Sequence, residues 1–449
     1  MDHTSQITPP GGFISRPVKS ISGELTVPGD KSISHRALLL SAICEGRSNL
    51  RGFLDSDDCL ATMNALRSMG VHITLESTDV RIIGVGPKGL TAPTESLDLG
   101  NAGTAMRLLA GMLSAQSFDS VLTGDESLKT RPMKRVTEPL GQMGALIDTV
   151  EGLPPLSIQG GQNLRGIDYT LPIASAQVKS ALLIAGLWAN GRTTVRSPGI
   201  SRDHTERMLA TMGVNLLKGS GQDVSLDGPV VIKARDHVIP GDFSSAAFFI
   251  VAGLLAARKG LLIRNVGMNP TRTGLLTILR KMGGSIDVIN RREFGTEPVA
   301  DLLVRKSKLQ GIKVEPNLVP LAIDEFPVLF VAAACADGFT TVTGAQELRY
   351  KESDRLHVMS EGLRELGIKT KETVDGIVIV GGSLRGGCVD SHGDHRVAMS
   401  FAVAGIASQD IVQVKRTDEV STSFPNFLSL ANSSGLAIEA YVTTESLKG

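Results

Sequence analysis

Two kinds of apolar stretch alternate along the chain. In the first kind, apolar residues at helical spacing end in a glycine and lead into a short alternating run. It occurs as "MNALRSMGVHITL" (63–75), "TEPLGQMGALIDTV" (137–150), "TERMLATMGVNLL" (205–217), "LLTILRKMGGSIDVI" (275–289), "MSEGLRELGIKTKE" (359–372) and "FLSLANSSGLAIEA" (427–440). This pattern predicts an amphipathic helix closed by a glycine cap, then a half-buried strand. Gly70, Gly144, Gly213, Gly283, Gly367 and Gly435 stand 74, 69, 70, 84 and 68 residues apart. The second kind is apolar nearly all round, as in "RALLLSAICEGRSNLRG", "RLLAGMLSAQSFDSVLTG", "SALLIAGLWANGRTTVRSPG", "AFFIVAGLLAARKGLLIRNVG", "FPVLFVAAACADGFTTVTG" and "VAMSFAVAGIASQDIVQV". A helix without a polar face is a buried helix. Each repeat thus holds a buried helix, a strand, an amphipathic helix and more strand, and six of them fill nearly the whole sequence.

The six group as three and three. "VPGDKSIS" (27–34) and "IPGDFSSA" (239–246) share Pro-Gly-Asp 212 residues apart, and each opens a set of three repeats. The expected organisation is two α/β domains of three repeats each. One spans 27–242 and the other 1–26 plus 243–449, with chain crossings near 26–30 and 240–243.

Composition narrows the class of protein. The chain has 449 residues, with Lys+Arg and Asp+Glu both 46, so no bulk charge draws it to nucleic acid or a membrane. Phe248–Ala257 is about half the length of a bilayer span. The start "MDHTSQITPPGG" has neither a basic nor an apolar leader region, and the four cysteines form no CxxC pair. A soluble cytoplasmic protein is expected.

Any anion site must therefore come from local clustering. The segments preceding the buried helices are "GDKSISHR", "GNAGTAMR", "SAQVKS", "GDFSSA", "IDEFP" and "GDHR", small or polar lead-ins that mostly carry a cation. Helix N-termini present unpaired N–H groups and a partial positive charge, which suits phosphates and carboxylates. Linking segments add Lys129 and Arg131 of "SLKTRPM", Arg202 of "SRDHTER", and Lys351, Glu352 and Arg355 of "YKESDRL". On one helix Lys351 and Arg355 form a repulsive i, i+4 pair. Either Glu352 and Asp354 neutralise them on a solvated face, or an anionic ligand does. Two unit negative charges about 4 Å apart repel by about 4 kcal/mol at an effective dielectric of 20, so joining two phosphorylated molecules requires many cations in one place.

Other motifs fall short. In "GDKS" the spacing of a phosphate-binding P-loop is absent. His392 and His395 of "HGDH" lack a third ligand, so an orienting histidine is expected and no metal. No GxSxG occurs and no cysteine lies beside a paired histidine, so acyl-enzyme chemistry has no support.

Taken together, "PGDKSISHR", "LGNAGTAMR", "RPM", "SAQVKSALL", "RDHTERM", "MNPTRTG", "KESDRL" and "DHRVAMS" resemble the 3-phosphoshikimate 1-carboxyvinyltransferase (EPSP synthase) family over about residues 20–440. "SAQVKSA", "RDHTE" and "IDEFP" are more similar to its class II branch. The resemblance implies two inside-out α/β-barrel domains of three βαβ-type units, closing on shikimate 3-phosphate and phosphoenolpyruvate across a cleft. The 27–242 domain would form the shikimate 3-phosphate side and the other domain the phosphoenolpyruvate and catalytic side. Both crossings would act as hinges, no cofactor would be needed, and the chain would be a monomer.

By motif, the resemblance implies that Lys31, Ser32 and Arg36 hold shikimate 3-phosphate, with Lys31 also facing phosphoenolpyruvate. Ser175, Ala176, Gln177 and Arg202 would bind the shikimate phosphate and ring, and Lys351 would reach the same substrate. Gly103, Arg131, Arg355 and Arg396 would bind phosphoenolpyruvate. Asp324 would accept a proton and Glu352 would be the second acid–base group. The chain departs from class I at Thr422, where that branch carries lysine, and at Leu108, where it carries proline. Gly103 is the position that admits the inhibitor glyphosate in this family, while Arg107 would anchor its loop. Two rivals remain. One is a UDP-N-acetylglucosamine enolpyruvyl transferase, whose loop cysteine "TGDESLKTRPM" lacks; the other is a non-catalytic repeat protein that binds phosphorylated ligands.

Overall fold

Six times a buried helix runs into a strand, an amphipathic helix and a further strand or hairpin. The computed structural model describes residues 11–219 and 221–442. The buried helices are Lys31–Ala42, Gly103–Leu113, Ala176–Gly186, Phe243–Ala256, Phe326–Ala334 and His395–Ile406. Their amphipathic partners are Asp57–Ser68, Lys134–Gln142, His204–Thr211, Gly274–Lys281, Arg355–Glu365 and Phe427–Ser433.

The glycines that close the amphipathic pattern all do the same work. Each has φ between +83° and +102°, a left-handed backbone that a Cβ disfavours. The residue after each glycine donates its N–H to the carbonyl five positions back, from Val71 to Leu66 through Leu436 to Ala431, at 2.9–3.1 Å. The residue before each glycine is tied to a later segment: Met69 O accepts from Thr91, Met143 O from Arg165, Met212 O from Lys233, Met282 O from Gln310 and Leu366 O from Arg385. In the sixth repeat Ser434 O accepts from Ser22, so the N-terminal segment completes it.

The chain divides into two units. The first is Pro28–Pro240 with Arg292–Pro298; the second takes the residues up to Val27, Gly241–Arg291 and those from Val299 onward. Among the described residues each unit has three sheets and its own apolar core. A typical sheet joins one parallel strand pair to an antiparallel hairpin. In the second repeat Leu97–Asp98 runs parallel to Ser120–Thr123, which pairs antiparallel with Leu153–Gln159, itself flanked by Leu146–Val150. The fifth repeat keeps only isolated parallel bridges, Gln310 to Asp337 and Lys313 to Thr341, in place of the parallel strand.

At the crossings the parallel strands are exchanged. Gly23–Thr26, which precedes the first buried helix, pairs with Leu261–Gly267 of the fourth repeat. His237–Val238, which precedes the fourth, pairs with Glu45–Arg51 of the first. Gly11–Arg16 lies in the sixth repeat's sheet, between Val412–Lys415 and Ala437–Val442. Phe13 stacks there on Phe427 at 6.1 Å between ring centroids, and Phe427 meets Phe424 edge-on at 5.5 Å. Burying each such ring contributes about 1.5–3 kcal/mol.

The glycine cap is testable at one helix end. Gly144 has φ +102°, and Gly141, inside the same helix, has nothing within 4 Å of where a Cβ would stand. Gly144→Ala is expected to cost about 1 kcal/mol, whereas Gly141→Ala is expected to stabilise by about 0.5–1 kcal/mol. Urea unfolding midpoints moving in opposite directions confirm this reading; a shift of both the same way refutes it.

Candidate functional site

Each unit links its three buried-helix lead-ins through polar side chains. Asp30 is the N-cap of the first helix and accepts from Ile33 N at 2.9 Å; Ser175 caps the third by accepting from Val178 N at 3.4 Å. Asp242 caps the fourth helix and Asp394 the sixth, the latter accepting from Arg396 N at 2.9 Å. These caps fix the direction in which each lead-in presents its side chains.

In the first unit Arg36, 2 % exposed, donates to Ser32 O at 2.9 Å, to Thr205 Oγ1 at 2.8 Å and to Ser180 Oγ at 3.0 Å. It thereby ties the first lead-in to the third helix. Arg202 reaches Ser32 Oγ at 3.4 Å, so Lys31, Ser32, Arg36 and Arg202 come together. Lys31 pairs with Asp58 and keeps a fifth of its side chain open, at 20 %. Behind it lies His35, fully buried on Thr62 Oγ1 at 2.8 Å. Burial first, then Lys31 and Arg36, hold its pKa well below the usual value, so it is neutral at pH 7.

The second and third lead-ins meet where Gln177 Nε2 donates to Thr104 Oγ1 at 2.8 Å. Arg131 contacts Asn101 and donates to Ser127 Oγ at 3.2 Å, while Asn101 donates to Asp125 at 2.8 Å. Arg107 donates to Gly103 O at 3.1 Å and so braces its own loop. A Cβ on Gly103 would stand 3.0 Å from Arg107 Nη1 and 3.1 Å from Arg131 Nη1, pressing on both guanidiniums. Ala176 is the first residue of its helix, and Leu108 is buried in the core. Thr422 Oγ1 donates to Glu419 O at 2.7 Å within its own turn.

In the second unit Asp324 is the centre. Its Oδ1 lies 3.2 Å from Lys351 Nζ and 3.6 Å from Arg355 Nη1, and its carbonyl accepts from Arg396 Nη1 at 3.2 Å. Glu352 takes a different nitrogen of Arg355, Nη2, at 2.6 Å. Arg355 is 1 % exposed and donates through Nε to Asp394 at 2.7 Å. Burial alone would lower its pKa; Asp394, then Glu352 and Asp324, outweigh that and hold it above its usual range. For Asp394 burial pushes the pKa up, and Arg355 more than reverses it, leaving the carboxyl below the ordinary range despite opposition from Glu352.

The i, i+4 expectation for Lys351 and Arg355 is corrected. Lys351 ends the short 3-10 turn Gln346–Tyr350 in extended backbone, and the helix begins only at Arg355. Asp354 does not neutralise them: it accepts from His357 N at 3.1 Å and pairs with Arg349 at 2.7 Å. Arg355 is buried, not on a solvated face, and protein carboxylates meet its charge.

Sequence reasoning passed over Asp394, Asp58, Asn101, Arg272, Glu325 and the buried Lys179–Glu206 pair. Three aspartates at "GD" before a buried helix carried a signal, since Asp is a favoured N-cap. The pairings over 27 to 39 residues carried none. Among the described residues no group of His, Cys, Asp and Glu is arranged to hold a metal ion, and no helix is long and apolar enough to cross a membrane.

Comparison with known proteins adds a family. The family model described as EPSP synthase (3-phosphoshikimate 1-carboxyvinyltransferase) matches residues 15–430. A 3-phosphoshikimate 1-carboxyvinyltransferase of Legionella pneumophila is 53% identical over 438 residues, covering 96% of this chain and 99% of that protein. One from Methylococcus capsulatus is 53% identical over 429 residues, covering 95% and 98%. The solved EPSP synthase of Acinetobacter baumannii superposes with a TM-score of 0.87 at 50% identity, covering 96% of this chain and all (100%) of that one. The enolpyruvyl transferase NikO of Streptomyces tendae shares the fold, with a TM-score of 0.79 at 15% identity, covering 97% of this chain and 100% of that one.

Asp394→Asn leaves Arg355 buried without its strongest partner and is expected to destabilise by about 3 kcal/mol or more. Because the Asp394 pKa is lowered on folding, its contribution is full above the ordinary carboxylate value of 3.8 and is lost as pH falls through the lower folded value. Urea unfolding as a function of pH should show wild-type stability dropping towards the variant's below about pH 4. A variant as stable as wild type at pH 7 contradicts this account.

Proposed function

The chain belongs to the EPSP synthase family, and we propose how its own side chains carry out that family's reaction. It transfers the enolpyruvyl group of phosphoenolpyruvate to the 5-hydroxyl of shikimate 3-phosphate, releasing phosphate, in aromatic amino acid biosynthesis. The hydroxyl attacks C2 while C3 is protonated; the tetrahedral intermediate then loses phosphate and a C3 proton. Two separately held carboxylates suit these two proton transfers.

In this reading Asp324 accepts the proton of the attacking hydroxyl and Glu352 serves the methylene carbon. Lys31, Ser32, Arg36, Ser175, Ala176, Gln177, Arg202 and Lys351 hold shikimate 3-phosphate. Gly103, Arg131, Arg355 and Arg396, with Lys31, hold phosphoenolpyruvate and stabilise charge on the departing phosphate. The observation that carries the proposal is the division of Arg355, with Asp324 facing Nη1 at 3.6 Å and Glu352 on Nη2 at 2.6 Å. One buried cation thus orients two carboxylates without merging them. The protein works as a cytoplasmic monomer, and glyphosate competes for the phosphoenolpyruvate position.

Phosphate release from phosphoenolpyruvate is expected with shikimate 3-phosphate and not with UDP-N-acetylglucosamine. Asp324→Asn and Glu352→Gln should each lower kcat by about 10²- to 10⁴-fold, and turnover within threefold of wild type would remove that residue from the chemistry. Gly103→Ala should raise the glyphosate inhibition constant far more than the KM for phosphoenolpyruvate, because the added methyl crowds Arg107 and Arg131. Equal losses would separate Gly103 from the glyphosate position.

A further inference from the structure

Glu325 breaks the local rule its neighbours keep. Asp30, Asp242, Asp394 and Ser175 all occupy N-cap positions and use their side chains to cap their own helices. Glu325 stands at the N-cap of Phe326–Ala334 and makes no capping bond. Its carboxylate, 3 % exposed, is turned instead to the preceding repeat, where it accepts from Ser244 Oγ and lies 3.8 Å from Arg272 Nη2. Arg272, also 3 % exposed, donates to Ser244 Oγ at 2.6 Å and to Asp242 at 3.1 Å. Desolvating these charges is costly, so the arrangement needs a return other than stability.

That return lies one residue upstream. The peptide joining Asp324 to Glu325 is held three ways. Arg396 grips its carbonyl at 3.2 Å, Lys351 and Arg355 face the Asp324 carboxylate, and Ser244 with Arg272 anchors the Glu325 side chain. The fourth and sixth repeats and the linker of the fifth therefore fix a single peptide. Without the Glu325 anchor, the turn at 322–325 would keep only the Arg396 hold on its carbonyl and the Lys351 and Arg355 contacts to the Asp324 carboxylate. We infer that Glu325, clamped by Ser244 and Arg272, is the positioning residue that aims Asp324. This rests on the catalytic role proposed above for Asp324.

The test is a double-mutant cycle with kcat, both KM values and thermal midpoint measured for each variant. Glu325→Gln keeps the shape and can still accept from Ser244, but it cannot pair with Arg272. It is expected to lower kcat by about 10²-fold while both KM values stay within threefold. Its acid limb should move to higher pH as Asp324 loses contact with Lys351 and Arg355. Added to Asp324→Asn, Glu325→Gln should cost no more than a further twofold, because the two act through one carboxylate. Should Glu325→Gln not fold, Ser244→Ala, which removes one hydroxyl, should lower kcat by at least fivefold with the same KM pattern. Unchanged kcat in Glu325→Gln, or a full multiplicative loss in the double variant, overturns the inference while leaving Asp324 in its role; so does unchanged kcat in Ser244→Ala where Glu325→Gln does not fold. Unchanged kcat in Asp324→Asn overturns the role of Asp324, and this inference with it.

Discussion

A guanidinium stays charged even at 1 % exposure, so carboxylates must replace the water it has lost, and Arg355 is such a group. Its partners come from three places in the sequence: Asp394 from the sixth lead-in, Asp324 from the fifth, and Glu352 from its own linker. None of the three can move without leaving a buried charge short of a partner. Asp394 simultaneously caps the sixth helix through Arg396 N, so the same carboxylate that neutralises Arg355 sets the axis of a core helix. Asp324, Glu352 and Asp394 are thus gathered on one guanidinium, and Arg396 follows two residues after Asp394 at the head of the sixth helix.

The same contact recurs with its chemistry altered. In five of the repeats a side chain at or just inside the lead-in meets one at or near the head of the amphipathic helix: Lys31 with Asp58, Asn101 with Arg131, Lys179 with Glu206, Asp242 with Arg272, Asp324 with Arg355. The first and third place the cation on the buried helix; the second, fourth and fifth place it on the later segment. Equal totals of 46 basic and 46 acidic residues fit a protein whose cations are matched locally. What differs is access. Arg36, Arg272 and Arg355 are buried to 3 % exposure or less, whereas Lys31 and Lys351 keep 20 % and 28 % of their side chains open. An open cation exchanges a protein carboxylate for a solute anion at lower desolvation cost than a buried one.

The repeat pattern was legible because it rests on local rules. A left-handed residue after a helix demands glycine, and six glycines at near-constant spacing announced six helix ends. The α/β class followed from the alternation of helix and strand patterns. The parallel strands were not legible: Leu97–Asp98 and His237–Val238 are two residues long, too short to show any period. Within the site, the residue types were legible from motifs, while their pairings were not. Arg355 finds Asp394 across 39 residues, and the helical spacing of Lys351 and Arg355 misled because the backbone between them is extended at Lys351. Spacing arguments hold only where one helix spans both residues.

The exchanged strands impose an order on assembly. The three sheets of the first unit draw only on strands between Glu45 and Val238. Their backbone partners all exist once the second crossing has been made. The second unit cannot be completed so early, since its fourth-repeat sheet needs Gly23–Thr26 and its sixth-repeat sheet places Gly11–Arg16 between two strands from beyond residue 411. Joining Ser15 to Val412 and to Ile438 closes loops of about 400 residues. Loop-closure cost grows only logarithmically with length, but non-local pairing is slow. Gly23–Thr26 therefore has its strand partner only once the fourth repeat is present, and Gly11–Arg16 only once the sixth is. The second unit is the one whose integrity depends on both ends of the chain, and Asp324, Glu352 and Arg355 are built on it.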